Sequence, residues 1–171
     1  MSELSKAFIE KARSLLVREY LPKIERCLDE ITDEQVWQRP NKSSNSIANL
    51  ILHLCGNIRQ WIVSGVGQTK DTRQRQAEFD ATEGLTRKEL LEKMRATLND
   101  VDAVLSQLSE NDLLSSRSIQ GYDVTVLEAV FHVTEHFSMR AGQIITLTKM
   151  LADKDMSFYS FPNGKATRNW R

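Results

Sequence analysis

Apolar residues recur every three to four positions over most of this chain, which is the spacing of an amphipathic α-helix. The pattern predicts four long helices, at about residues 3–31, 46–63, 86–108 and 125–151. Pro22 lies within the first helix, where it removes a backbone donor and is expected to kink or break the helix. Four such helices in one short chain favour an all-α four-helix bundle.

Residues that typically cap the N-terminus of a helix occur at the predicted starts of the second, third and fourth helices. Ser46 is a good N-cap for the second helix. The segments TRKE (86–89) and TVLE (125–128) are capping boxes for the third and fourth. No alternating apolar pattern is long enough for a β-sheet. We therefore predict one bundle domain over residues 1–171, with connections at 38–45, 68–84 and 115–122 and an irregular C-terminal tail from residue 152.

Composition narrows the possible functions. The formal net charge is +0, so the chain has no overall basic field that would attract nucleic acid. Cys27 and Cys55 are the only cysteines, and both lie inside helical patterns, as expected in a reducing cytosol. The first residues contain no apolar signal-peptide region, and no apolar run approaches 18 residues. These features predict a cytoplasmic protein that binds neither nucleic acid nor membrane.

The chain has three histidines, and two of them are four residues apart. His132 and His136 point the same way from one helix, so they could share a metal ion. The remaining histidine, His53, could complete the site from the second helix. Neutral imidazole suits Zn, Ni, Cu and Fe. The alternative is that three ordinary histidines lie on two bundle helices.

The histidines lie on polar stripes of the second and fourth predicted helices. The stripes contain Ser46, Asn49, His53, Asn57, Gln60 and Ser64, and Thr125, Glu128, His132, His136, Met139 and Gln143. Each stripe is either a solvated face or one wall of a shared polar cleft. In a cleft, Asn57, Glu135 or Gln143 could orient the imidazoles.

Other candidates are open to two interpretations. Charges alternate along the connection at Asp71, Arg73, Arg75 and Glu78. These residues form either an anion-binding lid or a loop held by arginine–carboxylate pairs, and we favour the loop.

Trp37 and Trp61 could line the cleft, but aromatic residues at such spacing are more often in a core. Cys55 follows His53 by two residues and so faces away from it, as a buried apolar side chain would.

The segments WQRPNKSSNSIANLILHLCGNIRQWI (37–62), DTRQRQAEF (71–79) and EHFSMRAGQIITLTKML (135–151) resemble an uncharacterised branch of the DinB-like superfamily. The resemblance implies a variant of the up-and-down bundle, with one metal-binding histidine on the second helix and two on the fourth. His53 and His136 match, whereas Arg140 occupies a position that is often histidine in relatives. Either His132 substitutes from the turn above or the site is empty. Arg140, which stays protonated, would repel a divalent ion, and it could hold an anionic substrate or pair with Glu128 or Glu135.

The resemblance also implies a function and an assembly. The resemblance points to a metal-dependent enzyme that acts on a small molecule. Such an enzyme would bind zinc or nickel and use a low-molecular-weight thiol, as a thiol-dependent transferase or hydrolase does. The metal would hold the thiol as a thiolate. The alternative is a non-catalytic binding or stress-related protein with a degenerate metal site. A homodimer is expected, because relatives often pair through bundle helices. The catalytic residues and the substrate are not indicated.

Overall fold

The computed structural model describes residues 2–170. Four long helical rods form the bundle, and we number them first to fourth along the chain: residues 3–29, 47–66, 87–106 and 126–152. The helices are α1 (Glu3–Arg13), α2 (Leu21–Asp29), α3 (Ile47–Ile58), α4 (Arg75–Asp80), α5 (Arg87–Ser106), α6 (Glu110–Leu113) and α7 (Val126–Ala152). A π-helical segment, Ser14–Tyr20, joins α1 to α2, and a second one, Arg59–Val66, extends α3. A 3₁₀ turn spans Gln35–Trp37. The predicted all-α bundle is confirmed.

Local signals placed the helix starts correctly. Thr86 accepts a hydrogen bond from the backbone of Glu89, whose carboxylate accepts one in return, and Thr125 and Glu128 do the same. Ser46 also forms a reciprocal capping box, with Asn49. Such pairs satisfy amide groups at a helix start that have no partner within the helix.

The expected break at Pro22 is not present. The first rod continues through it, because the preceding residues, Ser14–Tyr20, adopt π-helical turns. In a regular α-helix the proline ring collides with the carbonyl four residues earlier. The wider π turn moves that carbonyl away from the ring.

Two short antiparallel hairpins were not predicted. Strand β1 (Ser116–Ile119) pairs with β2 (Tyr122–Thr125) around Gln120 and Gly121, whose φ angles are 56° and 84°. Positive φ at both central residues is typical of a tight hairpin turn. A side chain on Gly65 would meet Ile119 at 2.5 Å, so this glycine lets the first hairpin pack against the second rod.

The C-terminal tail is mostly irregular, as predicted, and contains one small hairpin. Strands β3 (Tyr159–Ser160) and β4 (Thr167–Arg168) pair on either side of a 3₁₀ turn, Pro162–Gly164. Lys23 is 8% exposed, and its Nζ lies 4.0 Å from the ring centroid of Trp170 and 5.2 Å from that of Tyr159. These cation–π contacts hold the tail against the first rod.

The core is mainly aliphatic, with side chains from all four rods, and Phe137 is its largest fully buried side chain. Trp61 is buried, and Trp37 is half-buried with its ring N–H donating to the carbonyl of Leu85. Cys55 is a free, buried thiol, and burial raises its pKa to about 11. Within residues 2–170, no helix is both long enough and apolar enough to cross a membrane.

Candidate functional site at the histidine pair

Two of the three histidines meet between the second and fourth rods. His53 of α3 and His136 of α7 are buried, and their Nε2 atoms are 3.1 Å apart. Further along, the ring of Trp61 lies against that of His132, which precedes His136 by one turn. The two rods therefore run antiparallel, and their predicted polar stripes face each other at this point.

Glu78 orients His53 from behind. Its Oε2 lies 3.0 Å from His53 Nδ1, and Arg73 donates to both carboxylate oxygens at 2.7 and 2.8 Å. Burial alone would raise the pKa of Glu78, but the hydrogen bonds from Arg73 and His53 outweigh it and hold the pKa below its usual value. An ionised carboxylate can only accept, so it takes the Nδ1 proton of His53, and the Arg73 Nη2 that lies 3.1 Å from the same nitrogen donates to Glu78 instead. The Nε2 lone pair of His53 is then directed at His136.

This arrangement holds the long connection against α3. Arg73 also donates to Gln60 at 2.8 Å, and Gln60 donates to Asp71 at 2.7 Å. A side chain on Gly56 would lie 1.9 Å from Glu78 Oε1, so only glycine leaves room for the pair. The segment is thus tied by an arginine–carboxylate pair, the interpretation that the sequence favoured. Arg75, in contrast, lies over the ring of Phe79.

His136 is held as a neutral imidazole. Burial lowers its pKa to about 3, helped by the neighbouring His53 and Arg140. Its Nδ1 is buried without a hydrogen-bond partner among residues 2–170. If the lone pairs of both Nε2 atoms face each other at 3.1 Å, they repel, so this contact requires a proton or a cation between the two nitrogens.

His132 does not converge with the other two histidines. Its ring is stacked between Trp61, at a centroid distance of 4.1 Å, and His136, at 5.7 Å. Burial lowers its pKa. Within the described part of the chain, no three histidine, cysteine or acidic side chains are arranged to hold a metal ion.

Arg140 lies beside the histidine pair. Its Nε is 3.4 Å from His136 Nε2, and its Nη1 donates to Gln143 at 2.8 Å. Over residues 2–170 it forms no ion pair with Glu128 or Glu135, the partners considered from the sequence. Of the groups considered for orienting the imidazoles, Glu135 is exposed, Gln143 binds Arg140, and Asn57 is buried beside the pair.

A cleft of about 480 Å³ opens beside the two histidines. The first hairpin supplies one of its walls, where Gln120 accepts a hydrogen bond from the Trp61 ring N–H at 3.3 Å. Sequence reasoning missed this wall, because the hairpin is short and only its Gln-Gly turn signals it. The lining side chains are His53, Asn57, Trp61, Arg73, Arg75, Gln120, Tyr122, Val124, Glu128, His132, His136 and Arg140.

The 3.1 Å between the two Nε2 atoms is a hydrogen-bond length, and it is also close to the separation of two nitrogens that share one zinc ion. Two nitrogens at about 2.0–2.1 Å from one zinc ion lie roughly 3.0–3.4 Å apart, depending on the coordination geometry. The separation of the two Nε2 atoms is 3.1 Å. The carboxylate behind His53 is the usual outer partner of a metal-binding histidine. The positive charge of Arg140 opposes such an ion.

Comparisons with known proteins agree with this fold. Residues 3–165 match the family described as "Protein of unknown function (DUF1572)". A search of curated proteins found no match. The structure is similar to that of a conserved protein from Enterococcus faecalis, with a TM-score of 0.67, 15% identity, and coverage of 89% of this chain and 97% of that one.

It is also similar to a DinB-like protein from Bacillus cereus ATCC 10987, with a TM-score of 0.60 and 18% identity. That match covers 79% of this chain and 89% of the other. Likeness at such low identity establishes the fold, and the family match covers nearly the whole sequence. The chain therefore belongs to the DUF1572 family and has a DinB-like fold.

Proposed function

We propose that this protein is a metal-dependent enzyme acting on a small molecule, in which His53 and His136 bind a divalent zinc or nickel ion. The observation that carries the proposal is the pair of Nε2 atoms 3.1 Å apart, with Glu78 fixing the outer nitrogen of His53. Two protein ligands leave coordination positions open for water or substrate. When bound, the ion would lower the pKa of a substrate thiol or water, as a thiol-dependent transferase or a hydrolase requires.

The residues of the chain have separate tasks in this proposal. Glu78 keeps the proton of His53 on Nδ1, and Arg73 keeps Glu78 ionised and in place. Burial keeps His136 neutral, and a neutral imidazole is the form that binds metal. Trp61 and the first hairpin form the wall at one end of the cleft.

The second candidate is a metal-free binding protein with a degenerate site. Arg140 supports it, because its Nε lies 3.4 Å from the nitrogen of His136 that a metal ion would need. In that case the proton between the two imidazoles replaces the ion. The cleft then serves for binding alone.

Titration of tag-free protein with Zn²⁺ or Ni²⁺ tests the first candidate. We expect one ion per chain, and we expect His53→Ala and His136→Ala to abolish stoichiometric binding. His132→Phe keeps the ring stacked between Trp61 and His136 but removes its nitrogens, so it is the matched control. We expect it to change the affinity by less than about tenfold, the lower end of the effect of lost outer contacts. A loss as complete as that of His53→Ala would make His132 the third ligand.

We further propose that the protein is a cytoplasmic homodimer. Phe131, Met139 and Met150 are 58%, 51% and 66% exposed on α7, and Gly142 has open space above it. A second copy would cover these apolar side chains. We expect light scattering at micromolar concentration to report twice the chain mass of 19.6 kDa. Phe131→Glu should shift the protein to monomer, whereas a monomeric parent would contradict the proposal.

A further inference from the structure

The cleft beside the histidine pair carries more positive charge than its acidic groups neutralise. Three arginines line it, and Glu128 is its only lining carboxylate. Arg73 is neutralised by Glu78. Neither Arg75 nor Arg140 forms an ion pair within residues 2–170. Glu128 is engaged in the N-terminal cap of α7 through Thr125.

A buried amide in the cleft also lacks a partner. Asn57 is 6% exposed and lines the cleft, but its side chain makes no hydrogen bond to the described part of the chain. Its amide is not among the fully buried polar groups without a partner, so it is open to the cleft and can hydrogen-bond a ligand group at this depth.

The antiparallel rods give the cleft a charged end and an aromatic end. Arg140 lies one turn beyond His136, away from Trp61 and His132. Asn57 lies one turn beyond His53 in the direction of Trp61. The rings of Trp61 and Tyr122 stand nearly parallel, 28° apart, with their centroids separated by 6.4 Å. Asn57 is thus between the guanidinium and the rings.

We infer that the substrate of this cleft is a small aromatic carboxylate. Its carboxylate binds Arg140, whose planar fork matches two oxygens. Asn57 donates a hydrogen bond to the middle of the substrate, and the aromatic ring of the substrate lies against Trp61 and Tyr122. A cleft of about 480 Å³ is within the usual range for small-molecule sites. The inference rests on the proposed function for the reaction, but these contacts use only side chains of the chain itself.

Calorimetric titration of chelator-treated protein tests the inference without any metal. The probes are phenylacetate, its neutral isostere phenylacetamide, and acetate, which lacks the ring. We expect phenylacetate to bind at least about tenfold tighter than either of the others, because a charge-assisted hydrogen bond and the ring contact each contribute. Arg140→Met should remove the preference for phenylacetate over phenylacetamide.

Arg95→Met is the matched control, since Arg95 pairs with Glu25 outside the cleft and is partly exposed. It should keep the full preference. The inference is wrong if phenylacetamide binds as tightly as phenylacetate, if phenylacetate does not bind, or if Arg140→Met keeps the preference. Each of these results leaves the metal titration unaffected, so the two proposals fail separately.

Discussion

Replacing Arg140 with histidine is expected to tighten divalent metal binding by at least about 30-fold. The guanidinium Nε lies 3.4 Å from His136 Nε2, so an ion shared by the two histidines would be close to a fixed positive charge. Two unit charges 4 Å apart in water repel by about 1 kcal/mol, so a divalent ion is opposed by about 2 kcal/mol. That energy corresponds to roughly 30-fold in affinity, before the new imidazole adds its own bond.

Arg140→Met separates the two contributions, because it removes the charge without adding a ligand. Arg140→Met should show only the gain in metal affinity that comes from removing the positive charge, and Arg140→His should bind the ion more tightly still. Isothermal titration of Zn²⁺ or Ni²⁺ into parent, Arg140→Met and Arg140→His protein measures both steps. If neither variant nor the parent binds metal while all remain folded, the metal-free candidate is the correct one.

Arg73→Met is expected to lower the free energy of unfolding by about 3 kcal/mol at pH 7. The side chains of Arg73 and Glu78 are 4% and 10% exposed, and removing one partner of a buried pair leaves the other charge without compensation. The connection can partly open to water, which keeps the expected loss at the lower end for buried pairs. Arg59→Met is the control, because the exposed pair of Arg59 with Asp100 should contribute less than about 1 kcal/mol.

The loss should depend on pH in a defined direction. The pKa of Glu78 is lowered in the folded protein, so its stabilising contribution is present above its unfolded pKa of about 4.3 and is lost as the pH falls through the folded value. Arg73→Met should therefore be most destabilising at pH 7 and progressively less so as the pH is lowered below about 4. Denaturant unfolding over a series of pH values from 7 downwards measures this. A loss that stays the same at every pH would show that it does not depend on the ionised carboxylate of Glu78.

The helices could be predicted because their signals are local. The apolar period and the capping boxes at residues 86–89 and 125–128 act within one or two turns, and each helix formed where they stand. Pro22 coincides with a change from π-helical to α-helical turns, and the rod does not break there because a π-helical segment can accommodate a proline that an α-helix cannot. The tail is mostly irregular, as predicted, but its contact with Lys23 could not be predicted because Lys23 is far away in the sequence.

The site could be predicted only in part. Helical spacing places the three histidines on two polar stripes. Spacing alone does not distinguish His132 from His136 as the partner of His53. The structure brings His53 and His136 together and leaves His132 stacked on Trp61. It also sets Glu78, from the long connection, against His53 Nδ1, a position for which the sequence indicates Asn57, Glu135 or Gln143.

The amino-acid sequence by itself determined the helical class, the positions of the four rods and the faces that carry the histidines, because periodicity and capping are properties of neighbouring residues. Only the tertiary structure decided which atoms meet. His53 contacts residues 25 and 83 positions away, Glu78 and His136. Such contacts depend on the relative rotation of the rods and on where the connection folds back, and both are set by packing throughout the bundle.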